Sequence, residues 1–149
     1  MKRTLIILVV GLMTMGCLTP EQKALRDSVI GEYEWEDELG HFQKFVLLEN
    51  GIVEAYENGK KEEEESKWKI VEAEIHVTEP DGDIAVLRMN KDGSITYIAD
   101  ISTGEDIRAA IQDGKWQKHI RDDPKISIHK DGLRVDYPKE EQETFKKIK

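Results

Sequence analysis

The fold is decided by residues 42–101, which read FQKFVLLENGIVEAYENGKKEEEESKWKIVEAEIHVTEPDGDIAVLRMNKDGSITYIADI. Pairs of asparagine or aspartate with glycine interrupt this stretch at near-regular spacing, at Asn50-Gly51, Asn58-Gly59, Asp81-Gly82 and Asp92-Gly93. Such pairs supply the two residues with positive φ that a two-residue type I′ hairpin needs. The segments between them alternate apolar and polar residues, which is typical of antiparallel strands. The stretch therefore predicts a β-meander.

Further strands are expected on both sides of this meander. Val29 to Glu36 alternates, with Tyr33 and Trp35 on one face and glutamates on the other. Near the C-terminus, Lys125 to Lys130 and Leu133 to Tyr137 read as a hairpin about Asp131-Gly132. A last strand over Thr144 to Ile148 is predicted to pair with Val29 to Glu36 and close the sheet. The fold class is therefore all-β, an antiparallel up-and-down meander that forms a barrel or half-barrel of about eight strands.

The sequence allows further predictions for the last strand of the meander and for residues 105–120. Ile95, Tyr97, Ala99 and Ile101 share one face of a strand and predict a continuous core stripe. For residues 105–120 two interpretations stay open. One is a short helix that begins with the capping box Ser102-Thr103-Gly104-Glu105, and the other is a strand pair about Asp113-Gly114.

Composition indicates one modest domain with an acidic surface. The chain has 149 residues, of which 36% are charged, and a formal net charge of -9. Because this charge repels phosphate backbones, nucleic acid is not expected as a partner. The run Lys60 to Glu65 is predicted to be the solvated flank of a hairpin rather than a cation site, because calcium loops need ligands at set spacings.

The N-terminus reads as a secretory leader. Lys2 and Arg3 form a positive region, Leu5 to Met13 form an apolar region, and Gly16 precedes Cys17. This apolar segment is too short to be a transmembrane helix. Its end resembles the lipobox of bacterial lipoproteins, in which a small residue precedes a lipid-modified cysteine. Thr14 and Met15 depart from the usual lipobox residues.

Lipidation also accounts for the only cysteine. No internal disulfide can form, and a lone thiol in an oxidising compartment is a liability unless it is consumed. The alternative is that Cys17 is incidental, in an ordinary signal peptide or a short uncleaved anchor. The prediction is an exported, palmitate-bearing envelope lipoprotein held in the membrane by lipid on Cys17. Its parts are a signal peptide over 1–16, an anchor and linker over 17–28, and a single β-domain over 29–149.

Several short segments resemble the strands of lipocalin-like bacterial domains. Gly31-Glu32-Tyr33 is similar to their Gly-x-Trp or Gly-x-Tyr first strand. Three further segments are similar to the later strands of those domains: Ser66-Lys67-Trp68-Lys69-Ile70, Glu74-Ile75-His76-Val77 and Asp92-Gly93-Ser94-Ile95. The resemblance covers Ile30 to Ile101, without the other motifs of true lipocalins. It implies an up-and-down barrel or half-barrel with an interior suited to an apolar ligand.

Signatures of catalysis are missing from the sequence. It has no Gly-x-Ser-x-Gly elbow and no phosphate-binding glycine loop, and its one cysteine is assigned to the anchor. The four histidines, His41, His76, His119 and His129, show no metal-ligand spacing and are predicted to be surface residues. We therefore expect no enzyme activity, no cofactor and no metal.

The aromatic residues are the remaining candidates for binding. Those that could line a ligand cavity are Tyr33, Trp35, Tyr56, Trp68 and Tyr97, although aromatics in a domain of this size are often the core itself. Two functions follow. One is a non-catalytic binding module for a small apolar ligand or another envelope protein. The other is a structural or stress-related envelope lipoprotein with a filled core and no ligand.

Overall fold

A computed structural model describes residues 18–149, which form a barrel with three short α-helices. The helices are α1 (Pro20–Val29), α2 (Glu105–Gln112) and α3 (Gln117–Asp122), and a 3-10 turn covers Lys139–Glu141. The strands are β1 (Gly31–Glu36), β2 (Phe42–Leu47), β3 (Ile52–Glu57), β4 (Lys60–Lys61), β5 (Ser66–Val71), β6 (Glu74–Thr78), β7 (Ile84–Met89), β8 (Ile95–Ser102), β9 (Ile126–His129), β10 (Gly132–Asp136) and β11 (Glu143–Lys147).

Eight of these strands close into an antiparallel barrel. Around the wall the order is β1, β2, β3, β5, β6, β7, β8 and β11, and β11 returns to β1. Tyr33 of β1 pairs with Lys147, and Phe145 pairs with Ile95 of β8. The predicted closing strand is thus confirmed, and the architecture is consistent with that of lipocalin-like domains.

The turns that defined the meander differ in type from the prediction. Only Asn58-Gly59 has positive φ at both residues, 49° and 83°. At Gly51, Gly82 and Gly93 the glycine alone has positive φ, and its N–H donates to a carbonyl three residues earlier. This is a type I turn followed by a left-handed glycine, the usual three-residue hairpin loop. The same turn at Gly40 joins β1 to β2.

Helix α1 closes one end of the barrel. Its N-cap is Thr19, whose side chain accepts from the N–H of Gln22 in a capping box, and Pro20 opens the helix. Val29, predicted to begin the first strand, instead ends this helix and is fully buried in the core. Leu25 also packs against the core. A segment that the sequence assigned mainly to a linker therefore supplies apolar contacts at the barrel end.

The C-terminal third contains helices where the sequence left two interpretations. Residues 105–112 and 117–122 are helical, so the strand interpretation of this region is wrong. The predicted capping box does not form, because Gly104 is the N-cap and no side chain caps the helix. Helix α2 contacts β10, and α3 contacts β9. The β9–β10 hairpin about Asp131-Gly132 is confirmed.

A β-bulge at Ile98 divides the predicted core stripe. Leu87 of β7 pairs with Tyr97, whereas Val86 pairs with Ala99, so Ile98 has no partner on β7. One extra residue reverses the faces that follow it. Ile95 and Tyr97 consequently face the barrel interior, and Ala99 and Ile101 face outward. The expectation of one continuous stripe is therefore wrong.

The outward residues form a second core, which comprises Ile84, Val86, Ala99 and Ile101 with Ile98 packed against it. The sheet curls over this cluster. Arg134 of β10 makes a bidentate ion pair with Glu74 of β6, with Nη1–Oε1 and Nη2–Oε2 distances of 2.8 and 2.7 Å. Because β7 and β8 lie between these strands in the sheet, the pair bridges the second core from outside.

Candidate functional site

The strand register identifies which side chains face the barrel interior. Paired residues in antiparallel strands lie on the same face of the sheet. Phe45 pairs with Tyr33 on one side and with Ala55 on the other, and Val77 pairs with Ala85. These positions all point inward, so the interior is lined by aromatic and small aliphatic residues.

The half of the interior next to α1 is filled with packed side chains. The buried residues there include Tyr33, Leu47, Trp68, Ile70, Ile75 and Ile95. The Tyr33 hydroxyl donates to the carbonyl of Val29 at 2.6 Å, and the Trp68 indole Nε1 donates to the carbonyl of Leu48 at 2.8 Å. Polar atoms of these rings are thus satisfied, and this layer forms a closed floor.

The opposite half of the barrel interior is open. It contains a cavity of about 290 Å³ at the end where β3 and β6 finish and where β5, β7 and β11 begin. The cavity walls are apolar and consist of Phe45, Val53, Ala55, Val77, Ala85, Leu87, Tyr97 and Phe145. The small side chains of Ala55 and Ala85 leave the space that larger residues fill in the floor. The site is therefore a short apolar well above a packed core.

Acidic and neutral polar side chains surround this well. The rim residues are Gln43, Glu62, Ser66, Glu79 and Glu143. Burial raises the pKa of the Glu79 carboxyl, and the negative charges of Asp81, Asp100, Asp83 and Glu62 raise it further. All the charged side chains that line the open end are therefore acidic.

Two tyrosines are fixed beside the well by one carboxylate. Asp100 accepts hydrogen bonds from the hydroxyls of Tyr97 and Tyr137. Burial is the main cause that raises the pKa of both phenols, and the hydrogen bond to Asp100 is the second cause. The pKa of Tyr137 rises to about 12, and that of Tyr97 rises above its ordinary range. Both phenols therefore stay neutral near pH 7, and neither is poised to act as a base.

The five aromatic residues proposed from sequence do not come together. Tyr97 lines the well, while Tyr33 and Trp68 lie in the floor beneath it. Trp35 packs against the core and borders a groove of about 370 Å³ next to β1 and β11, whose other walls are mostly charged or outward residues. Tyr56 faces outward, where its hydroxyl donates to Glu54 and Lys44 lies over its ring.

Sequence reasoning missed most of the well. Its rim brings together Glu62 after β4, Glu79 after β6 and Glu143 at the start of β11, residues far apart in the chain. The one available signal was the pair of alanines, Ala55 and Ala85, at inward positions of otherwise bulky strands. The exposed position of Glu62 to Glu65 agrees with the predicted solvated flank.

His76 is a buried residue, so its predicted surface location is wrong. It is 1% exposed on the outer face of β6, and its ring centroid lies 5.9 Å from that of His129 on β9. The Nε2 atom lies 3.4 Å from Glu74, and the Nδ1 atom has no hydrogen-bond partner among residues 18–149. Alternation assigned this strand face to solvent, whereas the curled β9–β10 hairpin covers it.

Three further points concern metal sites, membrane-spanning helices and the predicted leader. Within residues 18–149, no three His, Cys, Asp or Glu side chains are placed so that they could hold a metal ion. In the same range, no helix has the length and apolar character needed to cross a membrane. The predicted leader and Cys17 lie outside the described residues.

Comparisons of the chain with protein-family models, with curated proteins and with solved structures gave no significant match. The likeness to lipocalin-like domains is therefore one of architecture, carried by the closed antiparallel barrel.

Proposed function

We propose that this chain is a non-catalytic envelope lipoprotein that binds a small apolar ligand in the well at the open end of its barrel. The observation that carries the proposal is the uneven filling of the interior, with a packed floor and apolar walls that enclose about 290 Å³ above it. Ligand sites are commonly concave, mostly apolar and pre-formed. A purely structural lipoprotein would have no need of the small residues Ala55 and Ala85 at this level of the barrel.

Filling the well should abolish binding without unfolding the protein. Ala55 lines the well, so the indole of Ala55→Trp would occupy the space of the ligand. The matched control is Ala109→Trp, which places the same side chain on the exposed surface of α2. After exposure to a lipid extract, native mass spectrometry should detect non-covalent adducts on the wild type and on Ala109→Trp, and none on Ala55→Trp.

Urea denaturation of each variant separates lost binding from lost folding. Absence of adducts on the folded wild type would contradict the binding function and favour the alternative, a structural envelope lipoprotein without a ligand. Equal adducts on wild type and on folded Ala55→Trp would place the ligand elsewhere.

The proposed localisation rests on Cys17 and its preceding residues. Two or three acyl chains on Cys17 would give stable membrane attachment, because each buried methylene contributes about 0.8 kcal/mol. In cells fed radiolabelled palmitate, the wild type should be labelled and found in the membrane fraction, and Cys17→Ser should be unlabelled. Label that persists in Cys17→Ser would contradict lipidation at this residue.

A further inference from the structure

The open end of the barrel has charge of only one sign among its lining residues. Of the side chains that line the well, Glu62, Glu79 and Glu143 are ionisable acids, and none is lysine, arginine or histidine. An adjoining cleft of about 260 Å³ shares Glu62 and Glu79 and adds Glu64 and Asp81, again without a basic residue. A ligand that enters the well must therefore pass through a negative rim.

The lysine next to Glu62 is held by other carboxylates. Lys61 directly precedes the rim residue Glu62, and its Nζ lies 3.1 Å from Glu54 and 3.8 Å from Glu65. The Glu54 hydrogen bond raises the pKa of Lys61, so this lysine stays charged and engaged on the outer wall. Lys61 therefore contributes little to neutralising Glu62, Glu79 and Glu143.

Basic side chains instead lie at the closed end of the barrel. The Arg26 guanidinium lies over the Trp68 ring and donates to the carbonyl of Glu49 at 2.5 Å. The Lys147 ammonium donates to the carbonyl of Ser28 at 2.8 Å. These two cations therefore lie away from the well, whose own lining contains no basic residue.

We infer that the ligand is a cationic amphiphile, with a short apolar body in the well and an ammonium or similar head between the rim glutamates. The inference rests on the proposed binding function and adds the charge of the ligand. The apolar walls take the body by removing its surface from water. The rim carboxylates attract a positive head and repel a carboxylate or phosphate head at the same place. A positive head group would also reduce the mutual repulsion of the rim carboxylates, which adds to the preference for a cationic ligand.

Three probes with the same alkyl chain test separately the binding of an apolar body and the preference for a cationic head. Octylammonium, 1-octanol and octanoate share the apolar body and differ in the charge of the head. Isothermal titration calorimetry with the full protein, below the micelle concentration of each probe, should rank their affinities in that order. Octylammonium should bind about tenfold more tightly than octanol, the effect of a few partly exposed ion pairs together. This preference should shrink at about 1 M salt, where the Debye length is about 3 Å.

Neutralising the rim should remove the preference and leave the well intact. In the variant Glu62→Gln, Glu79→Gln and Glu143→Gln, octylammonium and octanol should bind within about twofold of each other. The matched control is Glu21→Gln, Glu49→Gln and Glu72→Gln, which removes the same charge from exposed positions near α1. The control should keep the preference, because those carboxylates are far from the well.

Each outcome decides one part of the inference. Octanol binding with equal or weaker binding of octylammonium would overturn the cationic head and leave the apolar well supported. Tightest binding of octanoate would overturn it as well. If no probe binds, the binding function itself fails, and the inference fails with it. Equal loss of preference in the rim variant and in the control would assign the effect to net charge, which contradicts a role for the rim.

Discussion

Replacement of Trp68 with alanine is expected to lower the free energy of unfolding by about 3–5 kcal/mol. The side chain is 5% exposed in the floor of the barrel, where it packs beside Val77 of the neighbouring strand. Its indole also donates to the carbonyl of Leu48, and Arg26 of α1 lies over its ring, 5.1 Å from the centroid. The substitution would leave a cavity and would loosen the helix that closes the barrel. The Leu48 carbonyl would lose the indole donor and keep only its hydrogen bond from the Gly51 N–H. Small domains have about 5–15 kcal/mol of stability, so much of it would be lost.

Two comparison variants show which part of Trp68 matters. Trp68→Phe keeps most of the ring and should cost about 1–2 kcal/mol, chiefly through the lost hydrogen bond. Trp116→Ala removes a partly exposed ring next to α3 and should cost about 1 kcal/mol. The measurement is urea denaturation followed by circular dichroism. If Trp68→Ala lost no more stability than Trp116→Ala, the barrel floor would not be a packed layer.

The same series bears on the ligand site. Because Trp68 lies beneath the well and does not line it, Trp68→Phe should retain the adducts seen with the wild type. Loss of those adducts in a folded Trp68→Phe protein would show that the ligand reaches the floor.

Acidification is expected to destabilise the protein through His76. Burial lowers the pKa of this imidazole from its ordinary value of 6.5, and the positive charges of His129 and Arg134 lower it further. Glu74 opposes this shift, but the carboxylate is already paired with Arg134 in a bidentate contact. Lys69, which pairs with His76 across β5 and β6, offers no negative charge. A proton on His76 would therefore be poorly compensated.

The direction of the pH effect follows from the lowered pKa. Above pH 6.5 the imidazole is neutral in both the folded and the unfolded chain, so it makes no difference to stability. As the pH falls below 6.5, the unfolded chain takes up the proton first, and stability drops by up to about 1.4 kcal/mol per pH unit. The loss ends below the lowered pKa of the folded state, where both states are protonated.

A ring that does not titrate, in place of His76, should remove the loss of stability that begins below pH 6.5. His76→Phe should show a flatter stability curve immediately below pH 6.5, measured by urea denaturation at a series of pH values. The control is His119→Phe, an exposed position on α3, which should follow the wild type. The Glu74 carboxyl has its pKa lowered by Arg134 and loses its stabilising charge only at more acidic pH, below about 4.5. An unchanged slope in His76→Phe would contradict a buried neutral imidazole.

The sequence alone predicted the antiparallel meander, its closing pair of strands and the inward faces of some strands. It did not predict that β8 pairs with both β10 and β11, which places the β9–β10 hairpin outside the closed barrel. Alternation placed Tyr33 on the core side of β1, and the turn residues located the hairpins correctly, although only Asn58-Gly59 adopts the expected backbone. Local patterns succeed here because a strand with one buried face must alternate, and because a tight turn needs glycine at positive φ. The closing pair of β1 and β11 could be expected because both are alternating terminal strands.

What the sequence by itself determined is the wall of the barrel, with its alternating strands, hairpins and first and last members. The tertiary structure decided whether each face of a strand lies in the barrel interior, in the second core or in solvent. One extra residue at Ile98 divides a uniform apolar stripe between two cores, and a curled hairpin buries His76 on a face that alternation assigned to water. The open well and its acidic rim likewise depend on which distant side chains meet across the barrel. Such packing is set by volumes and contacts between strands, which a local pattern in one strand does not contain.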